Sequence, residues 1–237
     1  MEVKEFELKI LEKIQETPTV FSLKLEQDKF EYLAGHYVGI DLRSNPSEYQ
    51  MMKAFSLASS PTEDSVLLTY NIGDSPFKQR LNSLNVGDRI KIKGPYGRFL
   101  FQEDLSKKAV MIAGGIGITP FRGMIRYVWD KKLPVQIDLI YSNRTPDEIA
   151  FYNELENIKK NYSNIHIVYT VTKEDSDWKG NVGRISEDLI KNNISEINNS
   201  VFYICGSPSM VEDMLSLLRK IGIKEENLKY EKFTGYK

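Results

Sequence analysis

Along the first hundred residues, short stretches rich in β-branched and aromatic residues recur at 20–25, 37–42, 54–58, 66–70 and 89–92. Alternate side chains of an extended chain fall on opposite faces, so these stretches read as strands with one face buried. Turn-forming clusters separate them, among them Ser44-Asn45-Pro46-Ser47 and Ser60-Pro61-Thr62-Glu63-Asp64. Strands this short and this closely spaced predict an antiparallel barrel or sandwich. One interruption has helical spacing. Phe77, Leu81 and Leu84 share a face, which predicts a short helix over 77–84.

The pattern changes at the polar stretch 102–108. Beyond it, strand-length apolar runs alternate with helix-length amphipathic ones. Strands are expected at 109–113, 135–141, 165–172, 201–205 and 228–231, and helices at 121–129, 147–160, 186–192 and 208–221. Such alternation predicts a parallel sheet covered by helices on both faces. The expected architecture is therefore two domains: an antiparallel β-barrel over 1–103 and an α/β parallel-sheet domain over 104–237. Ligands of parallel sheets bind at the carboxyl ends of the strands. That makes 114–119, 142–144, the residues from 172 onward, and 205–208 candidate functional positions.

Composition narrows the function classes. The 237 residues carry 32 Lys and Arg against 33 Asp and Glu, a net charge of −1. That balance argues against a general nucleic-acid binder, whose footprint is basic. A single cysteine, Cys205, allows neither an intramolecular disulfide framework nor a cluster that needs four thiolates. The start, Met1-Glu2-Val3-Lys4-Glu5, has no apolar signal core, and no apolar stretch nears the roughly 20 residues that span a bilayer. A cytoplasmic location without membrane insertion is the expectation. No Gly-x-x-x-x-Gly-Lys-Ser/Thr run is present, which disfavours a P-loop nucleotidase. His36 and His166 have no metal-ligand spacing, so no metal is expected.

Two segments carry candidate chemistry. Residues 113–120, Ala-Gly-Gly-Ile-Gly-Ile-Thr-Pro, join an expected strand to an expected helix. Glycines let the backbone approach phosphates, and the first helical N–H groups point at them from a positive dipole end. The turn reads Gly115-x-Gly117-x-x-Pro120, not Gly-x-Gly-x-x-Gly; proline suits a first helical turn, where no amide donor is needed. By itself the turn also reads as a plain strand–helix connection. The second segment is Lys53-Ala54-Phe55-Ser56-Leu57-Ala58-Ser59. Strand alternation places Lys53, Phe55 and Leu57 on one face and Ser56 on the other. A cation, an aromatic ring and a hydroxyl this close suit a phosphate, a planar ring and a ring nitrogen. Alone, such a segment is more often an ordinary half-buried strand.

A barrel with a basic-x-aromatic-Ser strand, followed by an α/β domain that opens Gly-Gly-x-Gly-x-Thr-Pro, resembles the ferredoxin–NADP reductase superfamily. Further marks stand in family order: Ala34-Gly35-His36-Tyr37, Gly94-Pro95-Tyr96-Gly97, Tyr141-Ser142-Asn143-Arg144, Cys205-Gly206-Ser207-Pro208 with Met210, and Glu231-Lys232-Phe233. The resemblance spans nearly the whole chain. It implies an NAD(P)H-dependent flavoprotein reductase in which hydride passes between NADH or NADPH and bound FAD. FMN is the less common flavin of the family. Electrons then leave to a separate soluble carrier such as ferredoxin or flavodoxin. Two alternatives stay open: a flavin-bearing subunit of a larger oxidoreductase complex, and a non-catalytic nucleotide-binding redox sensor.

The resemblance also implies roles. Phe55, in place of the usual Tyr, packs on the isoalloxazine; Ser56 lies near flavin N5; Leu57 completes the strand. Lys53 stands where Arg commonly binds the flavin phosphates, a flexible point charge in place of a planar fork. Thr69, Tyr70 and Asn71 occupy the strand beside the ribityl and phosphate region. Ser75 and Lys78 begin the short helix that meets a second phosphate. Phe233 and Tyr236 lie where the C-terminal segment covers the second flavin face. Gly114, Gly115 and Gly117 approach the dinucleotide pyrophosphate, with Thr119 and Pro120 toward the nicotinamide. Ser142 and Arg144 meet the adenosine ribose or its phosphate. Cys205, Gly206, Pro208 and Met210 form the motif beside the nicotinamide. Ser56, Cys205 and Glu231 are the implied catalytic set, with Cys205 shaping the hydride-transfer geometry and not acting as a nucleophile.

Overall fold

The computed structural model describes residues 2–102, 104, 106–173 and 176–234. The first domain is a six-stranded antiparallel sheet built from β1 (Lys4–Gln15), β2 (Val20–Glu26), β3 (Tyr37–Asp41), β4 (Met52–Ser56), β5 (Ser65–Asn71) and β6 (Arg89–Tyr96), with the short helix α1 (Pro76–Asn82) between β5 and β6. Its order is β4-β3-β6-β1-β2-β5. An antiparallel bridge between Leu57 and Leu68 brings the two edges together, so the sheet curls into a barrel. Leu8, Ile10, Leu23, Leu25, Val38, Ile40, Leu57 and Leu68 fill its interior.

The second domain follows as β7 (Lys108–Gly114), α2 (Ile118–Lys131), β8 (Ile137–Asn143), α3 (Tyr152–Asn161), β9 (Ile165–Val171), β10 (Asn181–Val182), α4 (Glu187–Asn193), β11 (Ser200–Gly206), α5 (Pro208–Lys220) and β12 (Leu228–Lys232). The strands form a parallel sheet in the order β10-β9-β8-β7-β11-β12. Alternation along β7 sends Ala109, Met111 and Ala113 to the face that carries α2 and α3, and Val110 and Ile112 to the face that carries α4 and α5. From β7 the chain runs outward to β10, then returns to β11 on β7's other side. That reversal opens a crevice beyond the carboxyl ends of β7 and β11, the place where such sheets bind ligands. The α2 face also packs on the barrel: Val20, Ala58, Leu67 and Phe99 share one core with Phe121, Met124 and Ile125.

The differences from expectation have local causes. β1 is not among the expected strands, although Phe6-Glu7-Leu8-Lys9-Ile10 alternates apolar and charged residues as a half-buried strand does, and Leu8 and Ile10 are fully buried. The helix expected over 147–160 is divided. A 3-10 turn covers Pro146–Glu148, and α3 starts only at Tyr152 because Phe151 takes a left-handed φ of 61°. α2 begins at Ile118, so Pro120 is its third residue, still inside the turn that needs no amide donor. β8 runs to Asn143, which carries Ser142 into the strand.

Candidate active site

Between the domains lies a cavity of about 460 Å³. The barrel lines it with Lys53, Phe55 and Ser56 of β4, Thr69 of β5, and Ser75 and Lys78 at the start of α1. The α/β domain contributes Thr119 of α2, Glu231 of β12, and Phe233 just beyond β12. The cause is topological. Ser56 ends the edge strand of one sheet, and Glu231 lies in the edge strand of the other.

The Ser56 hydroxyl donates to Glu231 Oε2 at 3.2 Å, a bond that joins the two domains inside the cavity. Burial pushes the Glu231 carboxyl above its ordinary range, and the Ser56 bond draws it part of the way back. Cys205 is the register partner of Glu231 on β11 and is fully buried. Burial, then the Glu231 charge, push its thiol well above the usual range, so it stays neutral. A neutral, enclosed thiol contributes shape, not nucleophilic reactivity.

On the barrel side, Phe55 stacks with Phe77, ring centroids 5.7 Å apart and planes 27° apart, which gives the cavity a flat apolar wall. Lys78 lies back over Gly73, where a Cβ would be 3.0 Å from its Cδ and 3.3 Å from its Nζ. Partial burial lowers the Lys78 ammonium pKa. The Thr69 hydroxyl continues into the barrel wall. Its Oγ1 is 2.8 Å from Ser22 Oγ, and Ser22 donates to Glu16 Oε1 at 2.7 Å. Burial raises the Glu16 carboxyl pKa in turn.

The sheet crevice holds the glycine-rich turn. Gly115 takes φ +52°, and nothing lies within 4 Å of where its Cβ would be, so the turn is open there to a close ligand. Gly117 is glycine for the opposite reason: its Cβ would lie 2.3 Å from the Cys205 carbonyl oxygen. A 3-10 turn over Gly115–Gly117 runs directly into α2 and its carbonyls take the Ile118 N–H, while no side chain caps the start of that turn, so the amides open to an anion are those of the turn itself. Thr119 ties the turn together by donating to the Ile116 carbonyl at 3.1 Å. Met210, near the start of α5, packs against Gly114 and Gly206, with its sulfur 3.1 and 2.8 Å from their Cβ positions. Pro208 opens α5 behind the Ser207 cap. An open left-handed glycine beside uncapped amides fits a dinucleotide pyrophosphate. The flat wall with two lysines fits a flavin and its phosphates.

Several sequence candidates stand elsewhere. Leu57 is fully buried in the barrel core, while Phe55 and Ser56 both reach the cavity. The expected alternation over 53–57 is thus corrected: β4 stops at Ser56, and the chain bends there to make the Leu57–Leu68 bridge. Tyr70 is 1% exposed, packs in the barrel core and does not line the cavity. Asn71, paired with Val20 at the end of β5, does not line the cavity. Pro120 is buried within α2. Ser142 and exposed Arg144 sit at the carboxyl end of β8, off the cavity wall. Tyr236 lies outside the described residues. Tyr37 and Phe77 line the cavity and were not singled out from the sequence. Tyr37 faces Ser56 across the β3–β4 pair, a register no local pattern reveals. Among the described residues no group of three His, Cys, Asp or Glu side chains could hold a metal, and no helix is long and apolar enough to cross a membrane. A larger cavity, about 850 Å³, opens beside α2 and α3 and holds none of the sequence candidates.

Residues 5–101 match the family model of the oxidoreductase FAD-binding domain, and residues 111–215 that of the oxidoreductase NAD-binding domain. An NADH-cytochrome b5 reductase-like protein of Arabidopsis thaliana is 33% identical over 168 residues, covering 65% of this chain and 51% of that protein. A flavohemoprotein of Bacillus subtilis (strain 168) is 30% identical over 239 residues, covering 98% of this chain and 59% of that protein. The chain therefore spans between about half and three-fifths of these two relatives. A variant of the ferredoxin-NADP+ reductase from Plasmodium falciparum superposes with a TM-score of 0.78 at 22% identity, over 97% of this chain and 96% of the other. At that identity the likeness is one of fold.

Proposed function

This chain belongs to the oxidoreductases that join an FAD-binding to an NAD-binding domain and has the fold of the ferredoxin–NADP reductases, and from that premise we propose that it takes hydride from NADH onto FAD and passes the electrons singly to a separate carrier. The observation that carries the proposal is the meeting of Ser56 and Glu231 in one cavity, at the seam of an FAD-binding and an NAD-binding domain. When bound, FAD supplies the redox chemistry, accepting an electron pair as hydride and releasing it one electron at a time.

The chain's own residues bind and orient. Lys53 and Lys78 offer positive charge to the flavin phosphates, and Phe55 with Phe77 offers a flat wall. Ser56 places a hydroxyl at the cavity centre, fixed by Glu231. Gly114, Gly115, Gly117 and the amides of the turn they form hold the pyrophosphate. Thr119, Cys205 and Met210 bound the space for the nicotinamide. The raised Glu231 carboxyl can hold a proton beside the Ser56 hydroxyl at a pH where an ordinary glutamate has lost it. Phe233, fixed by its N–H to the Gly206 carbonyl at 2.9 Å, covers the remaining side.

The named relatives favour a haem protein of the cytochrome b5 type as acceptor, with ferredoxin and flavodoxin next. Their names also favour NADH over NADPH. An anaerobic visible spectrum tests the reading. A yellow protein bleached by NADH, then reoxidised by added cytochrome b5, supports it in full. Reoxidation by ferredoxin or flavodoxin alone moves the acceptor. Reduction by NADH without transfer to any small carrier favours a subunit of a larger complex. A protein that takes up neither FAD nor FMN and ignores both nucleotides overturns it.

A further inference from the structure

α2 begins in the nucleotide-binding turn and then lies along the barrel. Arg122 stands at that contact, one helical turn after Thr119, and is only 7% exposed. Acceptors from three places meet its guanidinium. Nη1 donates to the Ala58 carbonyl at 3.1 Å and to the Glu63 carboxylate. Nε and Nη2 donate as a fork to Glu154 of α3 at 2.9 and 2.7 Å. Ala58 follows Ser56 by two residues, and Glu63 belongs to the next turn of the barrel, so one side chain fastens the end of β4 to α2.

The surroundings make this a fixed joint. Gly123 lets α2 touch the barrel backbone, since a Cβ there would lie 2.7 Å from the Ser59 carbonyl oxygen and 3.2 Å from that of Leu57. The 58–63 turn is held from inside the barrel: the Tyr32 hydroxyl lies 2.7 Å from Ser59 Oγ and 2.8 Å from the Ser60 carbonyl oxygen. Glu63 Oε2 also accepts from the Ser60 N–H at 2.7 Å. At the far end of α2, Thr62 donates to Asp130 Oδ2 at 2.6 Å.

We propose that Arg122 is a positioning residue, which through Ala58 and Glu63 sets how far the Ser56 end of β4 stands from the 114–119 turn and Glu231. The inference rests on reading this site as one of hydride transfer. Two reacting rings, each carried by its own domain, must meet within about 3–3.5 Å and in line. The apolar core that the barrel shares with α2 holds the domains together but is non-directional, so it does not by itself fix their register. A buried guanidinium gripped by two carboxylates resists sliding, because any displacement leaves a charge buried and unpaired. Its planar fork also fixes direction, which a lysine ammonium does not.

Two measurements test this on Glu63→Gln and Arg122→Lys, with FAD-loaded protein for the first. Stopped-flow reduction by NADH should slow about tenfold or more in Glu63→Gln, because a 1 Å misplacement can cost about a hundredfold. FAD content should not change, and Arg122→Lys should retain part of the rate. The second readout needs no cofactor. Spin labels on Val86→Cys and Val182→Cys, one per domain and 61% and 55% exposed, report the interdomain distance, since Cys205 is buried and escapes labelling. The distance distribution should be narrow in the parent and broader in Glu63→Gln. Variants that melt earlier yet keep both the parent rate and the narrow distribution would overturn the proposal. A parent protein that NADH does not reduce would sink the hydride-transfer reading, and the label distances would then judge the joint alone.

Discussion

At the scale of single residues, the site turns on a hydroxyl and a carboxyl brought together from opposite ends of the chain. Ser56→Ala removes the donor to Glu231 and is expected to slow flavin reduction by about a hundredfold, a low-end value for a positioned polar group in proton-coupled catalysis. Pre-steady-state absorbance at the flavin band measures it. Glu231→Gln has a second, pH-dependent consequence. The native Glu231 pKa is raised, so the folded protein holds a proton that the unfolded chain has released. Stability is therefore lost as pH rises from the ordinary glutamate range, about 4.3, through the raised native value, and the loss is complete above it. Glu231→Gln lacks this slope. Its melting temperature relative to the parent should climb as pH rises above the ordinary glutamate value and level off above the raised native one, while its turnover loses the pH limb that Glu231 sets.

At the scale of elements, the two turn glycines make separable predictions. Gly117→Ala forces a methyl to 2.3 Å from a carbonyl oxygen of β11, a clash that no side chain can relieve. It should cost about 1–3 kcal/mol of stability by denaturant titration. Gly115→Ala meets no neighbour but keeps the left-handed φ. It should cost about 1–2 kcal/mol and weaken nucleotide binding, measured by calorimetry with NAD+. At this scale the sequence was legible where each element carried its own signal. The glycine turn, the parallel-sheet alternation and the short helix at Phe77 were all written locally. β1 was legible as well, since Phe6, Leu8 and Ile10 alternate with charged residues, but it was not among the expected strands; its place between β2 and β6 is a tertiary matter. The break before α3 was hidden, since only tertiary packing holds Phe151 in a left-handed conformation.

At the scale of the whole molecule, the Arg122 network joins the domains into one cooperative unit. Arg122→Met removes the charge-assisted bonds to Glu63 and Glu154, which keep the Ser60 N–H and Arg126 as remaining partners, and should destabilise the protein by about 1.5–3 kcal/mol. Calorimetry should then resolve separate transitions for barrel and α/β domain where the parent shows one.

The sequence by itself determined the two fold classes, most of the strands and helices, the glycine-rich turn and a short list of candidate residues, because periodicity and turn chemistry are local properties. It left open which candidates meet. Leu57 and Tyr70 looked as eligible as Phe55 and Thr69 until the curl of the barrel turned them inward. Arg122 read as one more polar residue in an amphipathic helix. Its acceptors at Ala58, Glu63 and Glu154 come from separate elements, and no local spacing points to them. The pairing of Ser56 with Glu231 was decided only by the tertiary structure, because the two residues lie 175 positions apart and meet where the edge strands of two separate sheets approach.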